Sequence, residues 1–449
     1  MMTTGNESRR GLTSRALAAL RRQTQDELIR NSLYLMLSTA TMGVLGFAFW
    51  LLSARLYDPG EIGKATALIS AVALISYLGL FGFNNTFIRF LPSSRQRDTD
   101  ISTGLLVVLV AATIAATIYV LIVPYIAPKL DFVRHSTGFA LGFVVFAAFS
   151  AVNLVTDSVF IAYRKTQYNL LVDGVIQSLT KLALPAVLVG LGAYGVFAAS
   201  GLAATVAVGA SIFFMVKVVG FRPKLSLSPG VIKQTWEFSA ANYLANLLNL
   251  APIFAIPLIV LDTRGARQAG YFFVAFQIAN LLNAVSYSVS TSLLAEGSYE
   301  GSDLAALLRK SARVLALVSI PTGVLVAVTA RWLLMVFGGA YSQHAASALT
   351  VLAIATPSVA CYVWATTILR ITKQLRELIG ANVVYALATV GFALNWAHRG
   401  LAWIGVAWLA GNLLSGMVAA AAAARHLRMS PRPARPAEPQ AEKPPGEPF

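Results

Sequence analysis

The residues of this sequence best suited to chemistry lie inside long apolar stretches. Their longest series is Asn169, Asp173, Gln177 and Lys181. Steps of four residues place such side chains along one face of a helix, with Lys181 about 18 Å from Asn169. Charges inside a membrane are rare and usually functional, and an ammonium group there suits an anionic ligand such as a diphosphate. The alternative for Lys181 is an internal salt bridge to Asp157 or Asp173.

Two carboxylates are available for binding a cation. Asp173 belongs to the series above, and Asp157 follows Asn153 by four residues in the preceding apolar stretch. Carboxylates inside a membrane commonly mark ion or proton pathways, so Asp157 and Asp173 are the ion-coupling candidates. Asp157 lies near the end of its stretch, and a capping or snorkelling role is an equal alternative.

Amides and prolines mark the seventh apolar stretch. Asn242, Asn246 and Asn249 are spaced for one helix face. Such a stripe either lines a polar cavity or forms hydrogen bonds with neighbouring helices. Pro252 and Pro257 each remove a backbone hydrogen bond and bend the helix. They are the predicted hinge, and a static kink is the alternative.

Other stretches carry polar groups within them or at their ends. Gln277 and Asn280 lie in the eighth stretch, whereas Arg55, Arg89 and Arg370 stand at stretch ends. Each arginine either attracts an anionic substrate at a cavity mouth or anchors the chain at the membrane interface. The predicted substrate-binding residues are Lys181, Asp173, Gln177, Arg89, Arg55, Arg370, Asn246, Asn249, Gln277 and Asn280.

The composition identifies the elements that position these residues as membrane helices. Of 449 residues, 57% are hydrophobic and only 12% are charged, against about 25% charged in a soluble domain. A membrane helix needs about 20 apolar residues, and twelve such spans are predicted. They lie near residues 31–54, 62–83, 101–123, 138–161, 170–191, 194–219, 236–260, 268–294, 311–337, 345–369, 378–396 and 401–424. A soluble globular protein is therefore excluded.

The same composition argues against several kinds of site and partner. The single Cys361 excludes an internal disulfide and a cysteine-rich metal site. Four scattered histidines suggest no metal site, so no cofactor or metal is expected. The net charge of +16 is typical of membrane loops that face anionic lipid, and no nucleic-acid partner is predicted.

An internal repeat divides the spans into two sets of six. The hairpin ARLYDPGEIGKA, with Gly63, is matched by LIVLDTRGARQAGY, with Gly270, 207 residues later. DSVFIAYRKTQ, after the fourth span, is matched by TTILRITKQLR at an offset of 209 residues. Parallel repeats of this kind indicate two six-helix bundles around a central cavity.

The repeat and the span ends predict the domain boundaries. We expect a basic cytoplasmic leader at residues 1–30, an N-terminal bundle at 31–219 and a cytoplasmic linker at 220–235. A C-terminal bundle follows at 236–425, and a disordered Pro-rich tail at 426–449. The leader is either an amphipathic helix on the membrane surface or disordered.

The distribution of Lys and Arg predicts the orientation. With the N-terminus in the cytoplasm, the inner segments hold 26 of the 35 Lys and Arg residues and the outer loops hold eight. Positive charge favours the cytoplasmic side. Both termini are therefore predicted to lie in the cytoplasm.

No catalytic motif is present. The only Gly-Lys pair, Gly63-Lys64, is followed by Ala65, so the sequence has no P-loop for ATP. The gaps between spans are too short for a catalytic domain. We therefore predict that the protein is not an enzyme.

Several segments resemble a known family. GLFGFNNTFIRFLP, RLYDPGEIGKA and FFVAFQIANLL are similar to segments of the O-antigen and exopolysaccharide flippases, within the multidrug/oligosaccharidyl-lipid/polysaccharide exporter superfamily. The resemblance covers residues 31–425. It implies transport of undecaprenyl-diphosphate-linked oligosaccharides through a cationic cavity, with Lys181, Arg89, Arg55 and Arg370 as cavity charges. The implied partners are the lipid-linked glycan, membrane lipids and other glycan-assembly proteins.

The predicted function is therefore a flippase that moves lipid-linked glycan precursors by alternating access, for cell-surface polysaccharide biosynthesis. A cation-coupled drug exporter of the same superfamily is the first alternative, because Asp157 and Asp173 are available as its ion site. A membrane-embedded glycan-assembly enzyme and a scaffold of a glycan-assembly complex are the others.

Overall fold

The computed structural model describes the backbone of residues 5–224, 227–297 and 304–429. Side chains are described from Arg30 to Leu427 within these ranges, except at positions 237, 238, 241 and 295. The predicted tail therefore lies outside the described residues, apart from its first positions. Every regular element in the described part of the chain is helical.

Within the described residues, twelve helices are long and apolar enough to cross a membrane, as predicted, and we number them spans 1 to 12. Their bounds are Arg30–Leu56, Pro59–Gly79, Arg97–Ile126, Thr137–Ala162, Gln167–Val187, Ala193–Val219, Asn242–Arg264, Ala266–Leu294, Leu304–Met335, Gly339–Ile371, Leu375–Arg399 and Leu401–Leu427. Span 1 ends the longer helix Gly5–Leu56, and span 7 ends the helix Pro229–Arg264. We call the side at which Arg30 and Leu427 lie the terminal face, and the other side the opposite face.

The hairpin between spans 1 and 2 shows why the chain turns where it does. Asp58 accepts a hydrogen bond from the Gly60 N–H at 2.7 Å, and Glu61 accepts one from the Asp58 N–H at 3.1 Å. This capping box, with Pro59 as the first helical residue, starts span 2. Tyr57 donates to the Pro185 carbonyl at 2.7 Å and ties the hairpin to span 5. Burial, with a smaller effect of Glu61, raises the pKa of Tyr57, which keeps the phenol a donor.

Two spans end or break where the sequence pattern predicts continuity. The predicted second span, residues 62–83, ends at Gly79, and a separate short helix, Phe83–Phe90, follows. Gly82 between them has φ +87°, a conformation that glycine adopts without strain. Span 10 consists of two helices, Gly339–Ile354 and Thr356–Ile371. Pro357 near the start of the second helix cannot donate into the first, which accounts for the break.

The two sets of six spans pack in the same way. In the first set span 1 packs on span 5, span 2 on span 4, span 3 on span 4 and span 4 on span 6. In the second set the corresponding pairs are spans 7 and 11, 8 and 10, 9 and 10, and 10 and 12. The predicted architecture of two parallel-repeat six-helix bundles is therefore present.

The repeat extends to the backbone after spans 4 and 10. Arg164 and Lys373 have φ values of 55° and 57° and are separated by the predicted 209 residues. Few side chains other than glycine adopt this left-handed conformation. The next residues also agree, because the N–H groups of Lys165 and Gln374 each bond the carbonyl five residues earlier at 2.8 Å. The turn before span 5 and the turn before span 11 therefore have the same backbone conformation.

The bundles meet closely at the opposite face. Gly63 of span 2 lies against Gly270 of span 8, and a Cβ atom on either glycine would overlap backbone of the other helix. Arg267 pairs with Asp58 at 3.3 Å, and Lys129 donates to the Leu261 carbonyl at 3.0 Å. The opposite face is closed in this conformation.

Toward the terminal face the bundles remain in contact through spans 2 and 7, whereas spans 1 and 8 are separated by a cavity. Span 2 and the helix of span 7 stay together, with Tyr243 donating to the Leu78 carbonyl at 2.8 Å and Thr86 lying 2.9 Å from Ser239. Spans 1 and 8 approach where the Trp50 ring lies 4.4 Å from Phe273, near the opposite face. On the terminal-face side of that contact, a cavity lies between spans 1 and 8.

Candidate functional site

Span 5 carries the predicted polar series on an irregular helix. Residues 170–177 form a π-helix, so their turns are wider than those of the flanking α-helix. π-helical turns occur frequently at functional sites. Asp173 and Gln177, together with Lys181 one α-helical turn later, line a cavity of about 300 Å³ inside the N-terminal bundle. We call it the N-bundle cavity.

Asp157 and Asp173 come together at the terminal-face end of this cavity. The Asp157 side chain lies beside that of Asp173, which is only 3% exposed. Asn153 donates its amide N–H to Asp173 Oδ1 at 3.0 Å. Asn169 donates its amide N–H to the Asp157 carbonyl at 3.3 Å. Two carboxylates and two amides from spans 4 and 5 thus form one buried cluster.

Three oxygen atoms of this cluster have no hydrogen-bond donor among the described residues. They are Asn153 Oδ1, Asp157 Oδ1 and Asn169 Oδ1. Buried acceptors without a donor are costly. Oxygen atoms of carboxylates and amides are the ligands that hard cations prefer, and a carboxyl pair can also share a proton. The cluster therefore has the chemistry of a cation or proton site.

The C-terminal bundle contains the equivalent positions without the charges. At an offset of 209 residues, Tyr362 corresponds to Asn153 and Asn382 corresponds to Asp173. Tyr362 donates to Asn382 Oδ1 at 2.7 Å, and Asn382 donates to the Ala245 carbonyl at 2.8 Å. This neutral network is satisfied by its own members. The two bundles thus share a contact, but at these equivalent positions only the N-terminal bundle carries carboxylates.

Lys181 lies between the N-bundle cavity and the space between the bundles. Its Nζ is 4.6 Å from the centroid of the Phe49 ring and 5.8 Å from that of Trp50, within the range of cation–π attraction. The same side chain lines a cavity of about 260 Å³ with Gln277 and Asn280 of span 8. We call this the portal cavity.

The predicted alternative for Lys181, a salt bridge to Asp157 or Asp173, is not formed. Among the described side chains, no carboxylate lies within 4.0 Å of the Lys181 ammonium group. An ammonium group held by aromatic faces, with no counter-ion, is available to an anion that enters either cavity.

Arg370 lines a third cavity, of about 290 Å³, between the bundles at the terminal face. Asn85 of the short helix and Asn242 and Asn246 of the span 7 helix line it as well. We call it the amide chamber. A fourth cavity, of only about 30 Å³, lies next to it and is lined by Tyr77, which also lines the N-bundle cavity.

The other predicted residues lie away from these cavities. At the opposite face, Arg55 Nε donates a hydrogen bond to the Val336 carbonyl oxygen at 3.2 Å. Arg89 is exposed and lies 5.4 Å from the Phe90 ring. Asn249 donates to the Tyr362 hydroxyl at 2.9 Å inside the C-terminal bundle.

The predicted hinge prolines, Pro252 and Pro257, lie within the continuous helix Pro229–Arg264. Sequence reasoning did not place Asn85, Tyr77 or Trp50 among the site residues. The amide pair at the end of the predicted second span was the available signal for Asn85. The two aromatic residues gave no signal, because aromatic residues are common throughout membrane spans.

The sequence of the chain matches the model of one protein family. The model of a family described as polysaccharide biosynthesis protein matches residues 52–345, which is more than half of the sequence. The chain belongs to the polysaccharide biosynthesis protein family. The predicted family relationship is therefore confirmed. No curated protein sequence matches this family member.

Solved structures show that this polysaccharide biosynthesis protein shares its fold with transporters. It is similar to the lipid II flippase MurJ in an inward closed conformation, with a TM-score of 0.69 and 13% identity over 89% of this chain and 88% of that chain. An inward-facing multidrug resistance MATE family transporter of the MOP superfamily gives a TM-score of 0.64 and 15% identity over 86% of this chain and 94% of that chain. A MOP superfamily transporter from Pyrococcus furiosus gives a TM-score of 0.57 and 14% identity over 90% of this chain and 95% of that chain. At such identities the likeness concerns the fold alone, which the chain shares with these transporters.

Proposed function

We propose that this family member is a flippase for lipid-linked glycans. It moves undecaprenyl-diphosphate-linked oligosaccharides or polysaccharide precursors across the membrane for cell-surface polysaccharide biosynthesis, and it is not an enzyme. The observation that carries the proposal is Lys181, an ammonium group without a counter-ion that is reached from the gap between spans 1 and 8. A diphosphate is the anion of such a substrate, and the lipid tail can remain in the bilayer beside the gap.

The orientation follows from the positive charges. The terminal face carries most of the Lys and Arg residues, so we assign it to the cytoplasm of a bacterial inner membrane. The cavities between the bundles then receive substrate from the cytoplasmic leaflet while the opposite face is closed. Opening at the opposite face, with bending of span 7 at Pro252 and Pro257, would release the glycan on the outside.

Asp157 and Asp173 are the proposed coupling groups. They share the N-bundle cavity with Lys181, and two ionised carboxylates there would repel a diphosphate. A bound cation or proton removes this repulsion, so occupancy of the cluster raises the affinity of Lys181 for the diphosphate. The membrane potential then favours outward movement of net negative charge by about 2.3 kcal/mol per charge per 100 mV.

Reconstitution tests this proposal directly. The probe is a fluorescent undecaprenyl-diphosphate-linked disaccharide of neutral sugars in proteoliposomes, and the measurement is its transfer between leaflets. We expect protein-dependent transfer that falls at least about tenfold in Lys181→Gln, the scale of one lost charged contact. Lys181→Arg keeps the charge and serves as the matched control, with much of the transfer retained.

The drug exporter is the second candidate, because the Asp157–Asp173 cluster also suits a cation-coupled exporter. The same proteoliposomes distinguish the two functions. Accumulation of a cationic dye without transfer of the lipid-linked probe would favour the exporter. If the lipid-linked probe is transferred equally by native protein and Lys181→Gln, the flippase function is supported and Lys181 has a structural role.

A further inference from the structure

A second cation between the bundles, Arg370, has no carboxylate partner among the described residues, and it lies at a different depth from Lys181. We propose that Arg370 and the amides of the amide chamber form a separate docking site for the substrate diphosphate, occupied before the diphosphate reaches Lys181. This inference rests on the proposed function. It divides transport into a docking step at Arg370 and a translocation step at Lys181.

The amide chamber is a polar site built by both bundles. Asn85 comes from the N-terminal bundle, and Asn242, Asn246 and Arg370 come from the C-terminal bundle. Among the described residues, the side chains of the three asparagines form no hydrogen bond, and no carboxylate lies within 4.0 Å of Arg370. Three free amides and one free guanidinium group therefore face a cavity of about 290 Å³.

The position of Arg370 argues against a role as a lipid anchor. An anchoring arginine extends along the outside of a bundle toward lipid headgroups. Arg370 instead lines a space whose other walls are Asn85, on one bundle, and Asn246, on the other. Its guanidinium group can bind phosphate oxygens through two N–H groups at once. The amides around it can donate to the remaining oxygens or to sugar hydroxyls.

Arg370 and Lys181 lie at different depths. Arg370 is one residue from the terminal-face end of span 10 at Ile371. Lys181 is 14 residues from the terminal-face end of span 5 at Gln167. This corresponds to at most about 21 Å at the α-helical rise of 1.5 Å per residue, because the wider π-helical turns at 170–177 rise less. Two phosphates joined by a single oxygen atom cannot contact both cations at once. The diphosphate of a carrier lipid in the cytoplasmic leaflet lies near the level of Arg370, so Arg370 is the first of the two to meet it.

Shared lining residues connect the two cations. Asn85 and Asn246 line both the amide chamber and the small fourth cavity. Tyr77 lines the fourth cavity and the N-bundle cavity, and Lys181 lines the N-bundle cavity. A path from Arg370 to Lys181 along these residues passes, beside Tyr77, the fourth cavity, whose volume of about 30 Å³ is too small for a diphosphate, so the bundles must move apart there.

Steady-state kinetics in the proteoliposomes separates the two sites. The probe is again the undecaprenyl-diphosphate-linked disaccharide of neutral sugars, at increasing mole fraction in the membrane. We expect Arg370→Gln to raise the half-saturating mole fraction about tenfold and to leave the maximal rate nearly unchanged. Lys181→Gln is expected to lower the maximal rate by at least the same factor, because it acts after docking.

The matched control is Arg376→Gln. Arg376 is also exposed at the terminal face and lines none of the four cavities, so its loss changes the surface charge alone. Kinetics equal to those of the native protein are expected. Arg370→Lys keeps the charge but loses the paired N–H groups, and an intermediate half-saturating mole fraction is expected.

Three results would overturn the docking site. Equal kinetics in Arg370→Gln and native protein would make Arg370 an anchor. Loss of maximal rate in both variants, with unchanged half-saturation, would place them in one site. An effect of Arg370→Gln on a probe with a uronic acid, but not on the neutral probe, would assign the chamber to a sugar carboxylate.

A binding measurement keeps this inference distinct from the flippase proposal. Undecaprenyl diphosphate without sugar is titrated into nanodiscs that hold the native protein or Arg370→Gln. Weaker binding in the variant supports the docking site even if no probe crosses the membrane, in which case only the flippase proposal fails. Equal binding in the two proteins overturns the docking site whatever the transport assay shows.

Discussion

At the scale of single residues, the carboxylate pair is where the two bundles differ chemically. Asp157 carries a buried oxygen without a donor, and Thr366 occupies the equivalent position in the other bundle. Asp157→Asn keeps the shape of the side chain but can neither titrate nor hold a cation by charge. We expect the rate at which Asp157→Asn transfers the lipid-linked probe to be nearly independent of pH and Na⁺, under conditions that change the rate of the native protein about tenfold. Thr366→Val is the control and should keep the native dependence, whereas a dependence that persists in Asp157→Asn and also when Asp173→Asn is added would remove the cluster from coupling.

At the scale of helices, small residues set how closely spans 4 and 6 pack. Gly201 of span 6 lies against Phe146 of span 4, and a Cβ atom there would overlap the ring. Gly201→Ala must therefore push the spans apart, which typically costs about 1–3 kcal/mol. Thermal unfolding of the purified protein should show a lower midpoint. Gly209→Ala, on the same helix with open space at its Cβ position, is the control. Equal midpoints for the two variants would show that span 6 is not held by this contact.

The helices also show how far the sequence determines the fold and the site. The twelve spans and the repeat were predictable, because apolar length and recurring hairpins are properties of the sequence itself. The π-helix at 170–177 was not predicted, because no residue type marks it, and the break in span 10 was missed although Pro357 marks it in the sequence. The site shows the same division. Lys181 and Asp173 were recognisable as charges in apolar surroundings, but which arginines face a cavity is decided by the contact between bundles.

At the scale of the whole molecule, closure of the opposite face depends on two glycines 207 residues apart in the sequence. Span 2 and span 8 lie in backbone contact only because Gly63 and Gly270 lack side chains. This contact joins the two bundles and leaves the interior of each unchanged. Gly270→Ala should therefore disfavour the closed conformation without unfolding either bundle. A clash worth about 1–3 kcal/mol changes the ratio of two conformations about 5- to 150-fold.

Labelling from outside measures this shift. Cys361 is the only cysteine, so Cys361→Ala provides a background in which Gln277→Cys reports on the portal cavity. We expect a membrane-impermeant maleimide to label this position faster when Gly270→Ala is added. Gly190→Ala, in the hairpin between spans 5 and 6 with open space around it, is the control. If Gly270→Ala and Gly63→Ala both leave the labelling rate unchanged, the glycine contact does not close the path, and the barrier lies deeper, at Trp50 and Phe273.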